Sequence, residues 1–461
     1  MKRKRPIERA PTVGFVSLGC AKNLVDSEHM ASLLASGNIS LAPRPDEADV
    51  LIVNTCAFIG DAKTESIDAI LEACAARDSG RHRAVIVAGC LSQRYGRDLR
   101  ESMPEVDAYL GLDALDEIVP LVRRLVQGEG RGSYIVPPEA RRVFEPVKDG
   151  VVLTGGSYAY IKIAEGCNHR CSFCIIPSIR GSYRSRRVDA IVRQAESLLG
   201  KGIRELILIS QDTTSYGKDL GAGSDLPSLL RALGRLGGGF RVRLLYGHPA
   251  HVTDSLLDAI AEVPQVCKYL DLPIQHSHPD MLRIMRRPSG KAVITGLPER
   301  IRKVIPGVTL RTTCLVGHPG ETRERFLHLR RFVESAQFDH LGVFAYSAEE
   351  GTPAATMAGR VPRRTAEERR GELMLLQRGI VRKNGRKLVG RKDTFLVEGP
   401  AVRRTAGSLR ARSGRSAPEI DGETLISGVP SGIRAGVFIT ARYVGTRGYD
   451  MLAEYCSCED I

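Results

Sequence analysis

The sequence predicts an α/β protein with an N-terminal parallel-sheet α/β domain, a central partial (β/α)6 barrel and a small C-terminal all-β barrel. From Thr12 to about Leu125, short β-branched runs alternate with helical patterns, as in a parallel sheet. About six further strand-like runs begin at Tyr158 and are separated by helical patterns, which is typical of an α/β barrel or part of one. After a helical stretch near Thr365 to Leu388, short strand-like runs follow without helices between them, which favours a small β-barrel.

Shifts in composition predict the domain boundaries. The segment 127–152 is rich in Gly, Pro and charge and has no sustained period, so we interpret it as a linker. The predicted parts are a basic N-terminal tail (1–11), the first domain (12–126), the linker (127–152), the central barrel (153–382) and the terminal barrel (383–461).

The composition excludes several classes of protein. Of the 461 residues, 43% are hydrophobic and 26% are charged, which excludes a disordered, collagen-like or fibrous chain. No run of eighteen apolar residues occurs, and the basic start at Met1 to Arg5 leads into polar residues instead of an apolar signal core. We therefore expect a soluble, cytoplasmic protein with no membrane contact.

The charge balance favours a polyanionic neighbour. The chain has 67 Lys and Arg against 53 Asp and Glu, a net charge of +14, which attracts RNA or a ribonucleoprotein. Trp is absent and aromatic residues make up 5%, so a platform that stacks many bases is not expected. The eleven cysteines are too sparse for a disulfide scaffold and are expected to stay reduced, which suggests metal binding by those that cluster.

Three cysteines of the first domain, Cys20, Cys56 and Cys90, each follow a predicted strand. Because the C-terminal ends of parallel strands share one edge of a sheet, the three thiols could meet there. Three thiols could hold an iron-sulfur cluster with one open iron. The alternative is that each cysteine is a small buried hydrophobic residue.

A second set of cysteines, Cys167, Cys171 and Cys174, forms a C-x3-C-x2-C run just past the first strand of the central barrel. A 4Fe-4S cluster normally takes four thiolates, so three local thiols leave one iron open for a non-protein ligand. The alternatives are a zinc site with a fourth ligand such as His169, or three unrelated core cysteines.

The spacing of this run and its position resemble the radical S-adenosylmethionine superfamily. Gly317-His318-Pro319-Gly320-Glu321, after the fifth barrel strand, resembles the Gly-x-Pro-Gly-Glu turn of that superfamily, although His318 stands where an aromatic residue is expected. The resemblance implies that S-adenosylmethionine chelates the open iron and is cleaved by one electron to a 5′-deoxyadenosyl radical. It also implies that Gly317, Pro319, Gly320 and Glu321 bind this cofactor.

Two cysteine triads in this order resemble the methylthiotransferase family, whose members have an N-terminal methylthiotransferase domain, a radical barrel and a C-terminal TRAM barrel. The strings at 17–28, 211–217 and 346–352 resemble the branch that acts on a ribosomal protein. The branch that acts on transfer RNA typically has Gly-Cys-Gln-Met-Asn where this chain has Gly-Cys-Ala-Lys-Asn at 19–23. The resemblance covers essentially the whole chain.

This resemblance implies methylthiolation of the β-carbon of one aspartate in protein twelve of the small ribosomal subunit. It implies two 4Fe-4S clusters: one, held by Cys20, Cys56 and Cys90, is implicated in sulfur delivery, and the other is the radical source. S-adenosylmethionine would serve as methyl donor and as radical precursor. Because the hydrogen to be replaced is not acidic, no catalytic acid or base is assigned.

Further contacts are less specific. Gln211 and Arg311 could meet the ribose or carboxylate of the cofactor, or be a satisfied strand-end residue and a surface cation. His276 could face the substrate or be a hydrogen-bonded loop residue. Cys74, Cys267 and Cys314 are interpreted as core, and Cys456 and Cys458 as exposed at a frayed terminus.

Partners follow from the same resemblance. An electron donor and a sulfur donor are required, and the TRAM barrel is expected to help dock the protein substrate. Its basic clusters, Arg403-Arg404 and Arg410 to Arg415, leave room for contact with ribosomal RNA. The competing hypotheses are a transfer-RNA methylthiotransferase and a non-enzymatic iron-sulfur sensor or RNA-binding protein.

Overall fold

A computed structural model describes residues 10–221, 223–288, 290, 293–401 and 408–458. It confirms the predicted fold class: a parallel-sheet domain, a partial barrel and a closed β-barrel follow one another along the chain. The basic segment Met1 to Arg5 and the cluster Arg403-Arg404 lie outside the described residues. Within the described ranges, every helix is too short or too polar to span a membrane.

The first domain is built on a six-stranded sheet in the order β2-β1-β3-β4-β5-β6, with all neighbours parallel. The central strands β3 and β4 are buried along their whole length, as expected for the apolar runs of a parallel sheet covered on both faces. The last strand, β6, lies inside the segment 127–152 that was interpreted as a linker, so the sheet extends into that segment. The elements are β1 (Thr12–Ser17), α1 (Ala21–Ser36), β2 (Ser40–Leu41), β3 (Val50–Thr55), α2 (Gly60–Asp78), β4 (Ala84–Gly89), α3 (Cys90–Ser102), β5 (Ala108–Leu110), α4 (Ile118–Val126) and β6 (Ser133–Ile135).

The central domain is a partial barrel of six parallel strands, β7-β10-β11 followed by β12-β13-β14. A parallel bridge between Val242 and Val266 joins the two groups of three. The elements are β7 (Tyr158–Lys162), β8 (Ala164–Glu165), α5 (Ile176–Arg180), β9 (Arg184–Ser185), α6 (Val188–Gly200), β10 (Glu205–Ile209), α7 (Leu226–Gly234), β11 (Arg241–Leu244), α8 (Asp254–Glu262), β12 (Tyr269–Asp271), α9 (Pro279–Ile284), α10 (Leu297–Val304), β13 (Thr309–Val316), α11 (Arg323–Ala336), β14 (His340–Ala345) and α12 (Arg363–Arg386).

The C-terminal domain is a closed barrel in the order β15-β16-β17-β19-β18. This confirms the small β-barrel that the run of short strands predicted. Cys456 and Cys458 are exposed, but they lie in β19 and not in a frayed end. The elements are β15 (Lys392–Pro400), β16 (Leu409–Ser413), β17 (Thr424–Ser427), β18 (Phe438–Arg447) and β19 (Asp450–Cys458).

The loop between β16 and β17 enters the N-terminal end of the central barrel. Ala417 is fully buried there. Glu419 accepts a hydrogen bond of 2.7 Å from the hydroxyl of Tyr158, the first residue of β7, and Asp421 accepts one of 2.7 Å from Tyr269, the first residue of β12. Because the terminal barrel closes this end, only the C-terminal ends of the strands are left to meet the first domain.

Candidate active site

The three first-domain cysteines lie together at the C-terminal edge of β1, β3 and β4, as the sequence predicts. Cys20 directly precedes α1, Cys56 follows β3 and Cys90 begins α3. The loops approach so closely that a Cβ added at Gly19, whose φ is +90°, would lie 3.0 Å from the sulfur of Cys56. Glycine is therefore required at this position.

The buried side chain of Asn23 ties these strand ends together. Its Nδ2 donates to the carbonyls of Leu18 and Thr55 at 3.0 and 2.8 Å, and its Oδ1 accepts from the thiol of Cys90 at 3.5 Å. The amide thus contacts the residue next to Cys56 and the thiol of Cys90. The role of Asn23 was not predicted; its place in the first turn of a helix, beside a strand-end cysteine, was the available signal.

The electrostatic surroundings differ among the three cysteines of this triad. Burial would raise the pKa of Cys20, but the cations of Lys22 and Arg180 bring that pKa below its ordinary value. Burial raises the pKa of Cys56, and it raises the pKa of Cys90 to about 12. Three thiols at one buried edge, beside an arginine, fit an iron-sulfur cluster with three protein ligands, and ligation would release their protons.

The second triad lies in the loop from β8 to α5, at the C-terminal end of the central barrel. The amide of Cys167 donates to Gly181 at 3.0 Å, and the amide of Cys174 donates to Cys171 at 3.1 Å, so the loop curls on itself. Burial raises the pKa of Cys167 to about 11 and that of Cys174 to about 12. A guanidinium nitrogen of Arg287 lies 3.6 Å from the sulfur of Cys171.

Two buried polar atoms beside this loop fit a polar cofactor. Gln211 Oε1 and His248 Nε2 have no hydrogen-bond partner among the described residues. The ring of His248 stacks on His169, between the first two cysteines, with ring centroids 4.2 Å apart, and burial lowers its pKa to about 2. Buried polar groups are nearly always hydrogen-bonded, so these two atoms leave hydrogen-bonding capacity that a polar cofactor such as S-adenosylmethionine would fill.

A cluster around Asp212 was missed by sequence reasoning. Asp212 accepts from His169 at 2.7 Å and from His251 at 3.0 Å. Burial would raise the pKa of Asp212, but these hydrogen bonds, with those from Ser215 and Thr214, lower it well below its usual range. His169 is therefore oriented by a carboxylate, and one ring nitrogen each of His169, His248 and His251 lies within 4.8 Å of the other two.

The predicted cofactor turn follows β13, but its glutamate points inward. Glu321 is buried and accepts hydrogen bonds from the amide of Gly317 and, at 2.8 Å, from Arg369. Gly317 is needed for a close approach to α12, because a Cβ there would lie 2.3 Å from the Cβ of Ala366. These contacts give Glu321 and Gly317 a role in shaping the turn; cofactor contact by Pro319 and Gly320 stays a prediction.

The unexpected His318 connects this turn to the cysteine loop. It is fully buried, and its Nε2 lies 3.1 Å from the hydroxyl of Ser172, between the second and third cysteines. Its ring also contacts Phe173 and Tyr346, with centroids 6.3 and 5.2 Å away. The histidine therefore supplies aromatic packing and a hydrogen bond to the loop.

Three other predicted contacts have partners within the chain. Arg311 pairs with Asp271 at 2.9 Å and with Asp421 at 3.3 Å, toward the terminal barrel, so the ion pairs do not support its assignment to the cofactor. The amide of Gln211 donates to Glu165 at 2.6 Å. His276 is fully buried, accepts from two backbone amides and has Nε2 3.6 Å from Glu321, which agrees with the loop alternative.

A buried ion network connects the two triads. Arg180 Nη1 lies 3.0 Å from both carboxylate oxygens of Glu165, two residues before the second triad, and Nη2 lies 3.3 Å from the sulfur of Cys90 in the first. Lys162 pairs with Glu165 at 2.6 Å and with Asp26 of α1. The sequence contained no pattern that singled out these charges.

Three family models match consecutive parts of the chain. They are described as the uncharacterized protein family UPF0004 over residues 12–111, the radical SAM superfamily over 161–333 and the TRAM domain over 389–456. The three matches correspond to the sheet domain, the partial barrel and the closed barrel.

Two solved structures are similar in fold. TsrM, a radical S-adenosylmethionine methyltransferase from Kitasatospora setae solved with cobalamin and a 4Fe-4S cluster, gives a TM-score of 0.55 at 15% identity over 75% of this chain and 77% of that one. OxsB, a cobalamin-dependent S-adenosylmethionine radical enzyme, gives 0.52 at 11% identity over 79% and 56%. At these identities the likeness concerns the fold alone.

Curated relatives are similar along nearly their whole length. The protein named ribosomal protein uS12 methylthiotransferase RimO from Pelobacter propionicus is 43% identical, over 96% of this chain and 97% of the relative. Proteins of the same name from Syntrophus aciditrophicus and Solibacter usitatus are 43% and 44% identical, over 98% and 95% of this chain and 100% and 94% of the relatives. With all three family models in the expected order, the chain belongs to the RimO family of radical S-adenosylmethionine methylthiotransferases.

Proposed function

We propose that this enzyme replaces a hydrogen on the β-carbon of one aspartate in the small-subunit ribosomal protein uS12 with a methylthio group. The observation that carries the proposal is the pair of cysteine triads joined by one buried ion network, in a chain that is similar to a uS12 methylthiotransferase over 96% of its length. A sensor or a simple RNA-binding protein would need neither the second triad nor the barrel around it.

The chain's own residues divide the task by position. Cys20, Cys56 and Cys90 would hold one 4Fe-4S cluster, and the second set, Cys167, Cys171 and Cys174, would hold the other and bind S-adenosylmethionine at its open iron. When bound, these groups supply the methyl group, the sulfur transfer and the radical chemistry that an unactivated C–H bond requires.

The protein supplies orientation around the second triad. His318 and Ser172 fix the cysteine loop against the turn after β13. Asp212 holds His169, a residue of the cysteine loop, and Gln211 would contribute a polar contact to the cofactor. No side chain is assigned as an acid or base, since the β-hydrogen is not acidic enough for such a group to remove.

Docking on the ribosome would use the terminal barrel. The predicted basic cluster of β16 is not an open surface, because Arg412 is buried against Glu205 and Glu398, and Arg415 pairs with Asp339. The exposed pair Lys392 and Arg442, directly opposite each other on β15 and β18, is the better candidate for contact with ribosomal RNA. Charge reversal of either residue should weaken binding to the small subunit and reduce its salt dependence.

Mass spectrometry tests the substrate. Protein reconstituted anaerobically with iron and sulfide would be given uS12 and transfer RNA in parallel, with S-adenosylmethionine, a sulfur source and a reductant. A methylthio mass gain on one aspartate of uS12 is expected. A gain only on a transfer-RNA adenosine would contradict the proposed substrate, and absence of deoxyadenosine release would contradict the reaction class.

Two alanine variants test the assignment of the triads. Cys171→Ala should abolish both S-adenosylmethionine cleavage and product, whereas Cys56→Ala should spare radical formation and lose sulfur insertion. Cys456→Ser, on the exposed strand β19, is the matched control and should retain both. Equal loss of deoxyadenosine formation in the first two variants would overturn this division of labour.

A further inference from the structure

Arg180 is the side chain through which the second cysteine loop contacts the first triad. It is the last residue of α5, the helix that directly follows the loop of Cys167, Cys171 and Cys174, and its side chain is buried. From there its guanidinium crosses the boundary between the two domains and meets α1 and α3 of the first domain. The inference below rests on the proposed function, because it concerns the cluster that the first triad would hold.

The guanidinium is oriented by anions on both sides of that boundary. On the barrel side, Nη1 makes two contacts of 3.0 Å with the carboxylate of Glu165. On the first-domain side, Nη2 contacts Asn23 Oδ1 at 2.6 Å and Asp26 Oδ2 at 3.0 Å. A planar guanidinium with partners on two edges has one orientation, so its contact with the cysteine is fixed.

That contact has the geometry of an N–H···S hydrogen bond. Nη2 of Arg180 lies 3.3 Å from the sulfur of Cys90. Glu165 and Asp26 carry two negative charges, and Lys162, which pairs with both carboxylates, supplies one positive charge against them. Arg180 supplies the second, so it offers the sulfur of Cys90 a donated hydrogen bond and not an unpaired charge.

We propose that Arg180 is a positioning residue that raises the reduction potential of the cluster on Cys20, Cys56 and Cys90 by donating a hydrogen bond to the sulfur of Cys90. A one-electron reduction adds negative charge to a cluster, and hydrogen bonds to its sulfurs stabilise that charge. Because the donor is on α5, the helix that directly follows the loop of the other triad, a movement of that loop and helix would change the potential of the first cluster.

The test uses the full-length chain with one cluster only. Cys167, Cys171 and Cys174 are replaced by Ala, the protein is reconstituted with iron and sulfide, and the midpoint potential is followed by electron paramagnetic resonance during titration with dithionite and redox mediators. Two variants, Arg180→Lys and Arg180→Gln, are compared in this background, and iron and sulfide content is measured in each.

Arg94→Lys is the matched control. Arg94 is also buried at the boundary between the same domains, but it donates to the carbonyl of Ala57 at 2.8 Å and to Glu349 at 2.9 Å instead of to a sulfur. Loosening of the domain contact alone should therefore affect this variant as much as Arg180→Lys.

For Arg180→Gln we expect the equilibrium constant for reduction to fall roughly tenfold, which is about 59 mV for a one-electron couple. The midpoint potential of Arg180→Lys should lie between those of Arg180→Gln and the parent. The midpoint potential of Arg94→Lys should equal that of the parent. An unchanged potential in both Arg180 variants, or an equal shift in Arg94→Lys, would overturn the inference. If Arg180→Gln binds no iron, the midpoint potential of Arg180→Lys tests the inference: an unchanged value overturns it and a lowered value supports it. If the parent binds no cluster, the two-cluster proposal fails together with this one, whereas a wrong substrate would leave these potentials unaffected.

Discussion

The terminal barrel is attached to the central barrel by a buried carboxylate, and neutralising it tests how strongly the two are held together. Glu205, the first residue of β10, has a side chain that is 0% exposed. Its carboxylate lies 2.6 Å from Arg243 of β11 and 3.1 Å from Arg412 of β16. Glu205→Gln keeps the shape of the side chain and removes the charge that both arginines share.

The free energy that the ion pairs of Glu205 contribute follows from the pKa of its carboxyl group. Burial would raise the pKa of Glu205, but Arg243 and Arg412 lower it from the ordinary 4.5 to about 2. With each tenfold change equal to about 1.4 kcal/mol, the ion pairs contribute about 3 kcal/mol, within the range of roughly 3–5 kcal/mol for removing one partner of a buried pair. Arg412 also pairs with Glu398 at 2.5 Å and keeps this partner in Glu205→Gln. We therefore expect a loss at the lower end of that range.

The sign of the pH dependence follows. A carboxyl group whose pKa is lowered by folding stabilises the folded state fully above its unfolded pKa, and this contribution disappears as the pH falls through the folded value. The attachment should therefore be strongest above pH 4.5 and weaken toward pH 2 in the parent. Glu205→Gln should lack this dependence.

Hydrogen exchange of the β16 amides (Leu409–Ser413) measures the attachment. A loss of about 3 kcal/mol should accelerate their exchange roughly 100-fold, while β4 of the first domain keeps its protection. Glu368→Gln is the control, since its partner Arg364 is exposed and such pairs contribute about 0.5 kcal/mol or less. Unchanged exchange in β16, or equal acceleration in β4, would refute the reasoning.

Three further predictions concern the cysteine sites and the barrel interface. Gly19→Ala should lose the iron of one cluster, because its Cβ would meet Cys56, whereas Gly80→Ala, with a similar φ of +85° and open space around it, should keep both; equal iron content in the two would contradict this. Arg311→Gln should weaken the attachment of the terminal barrel through Asp421 and leave the affinity for S-adenosylmethionine unchanged, as isothermal titration would measure; a large loss of affinity would restore the original prediction. Removing iron with a chelator should lower the melting temperature, because a ligand that binds only the folded chain stabilises it, and identical melting curves would argue against iron sites in the folded protein.

Local sequence patterns predicted the fold class and the strand ends at which the cysteines lie. The strand-end positions of Cys20, Cys56 and Cys90 were enough, because in a parallel sheet the order of strand and cysteine along the chain decides which edge each thiol reaches. The second triad was predicted from the C-x3-C-x2-C spacing of Cys167, Cys171 and Cys174 alone. The positions of both cysteine triads depend on the order of strands and loops along the chain, so they could be predicted without knowledge of side-chain packing.

The residues that were missed depend on partners far away in the sequence. Arg412 gave β16 the appearance of a basic loop, yet it is buried because Glu205, more than two hundred positions earlier, accepts its charge. Arg311 was assigned to a cofactor for the same reason: an arginine at a barrel strand suits a carboxylate, and the sequence does not say which one. Such ion pairs form when the domains pack together, and the pattern of neighbouring residues in the sequence does not predict them.

The two ends of the central barrel use the same chemical groups for different purposes. At the N-terminal ends of the strands, Glu205 and its arginines are surrounded by protein, so their charges are balanced within the chain and contribute to the attachment of the terminal barrel. At the C-terminal ends, Arg180 is held by carboxylates of both domains and also contacts a cysteine sulfur. A buried ion pair adds little stability over apolar packing, so stability alone does not account for a guanidinium that also contacts a sulfur. The two sites should therefore separate in experiment: Glu205→Gln changes hydrogen exchange in β16 and leaves the cluster potential unaltered, whereas Arg180→Lys changes the potential and leaves β16 protected.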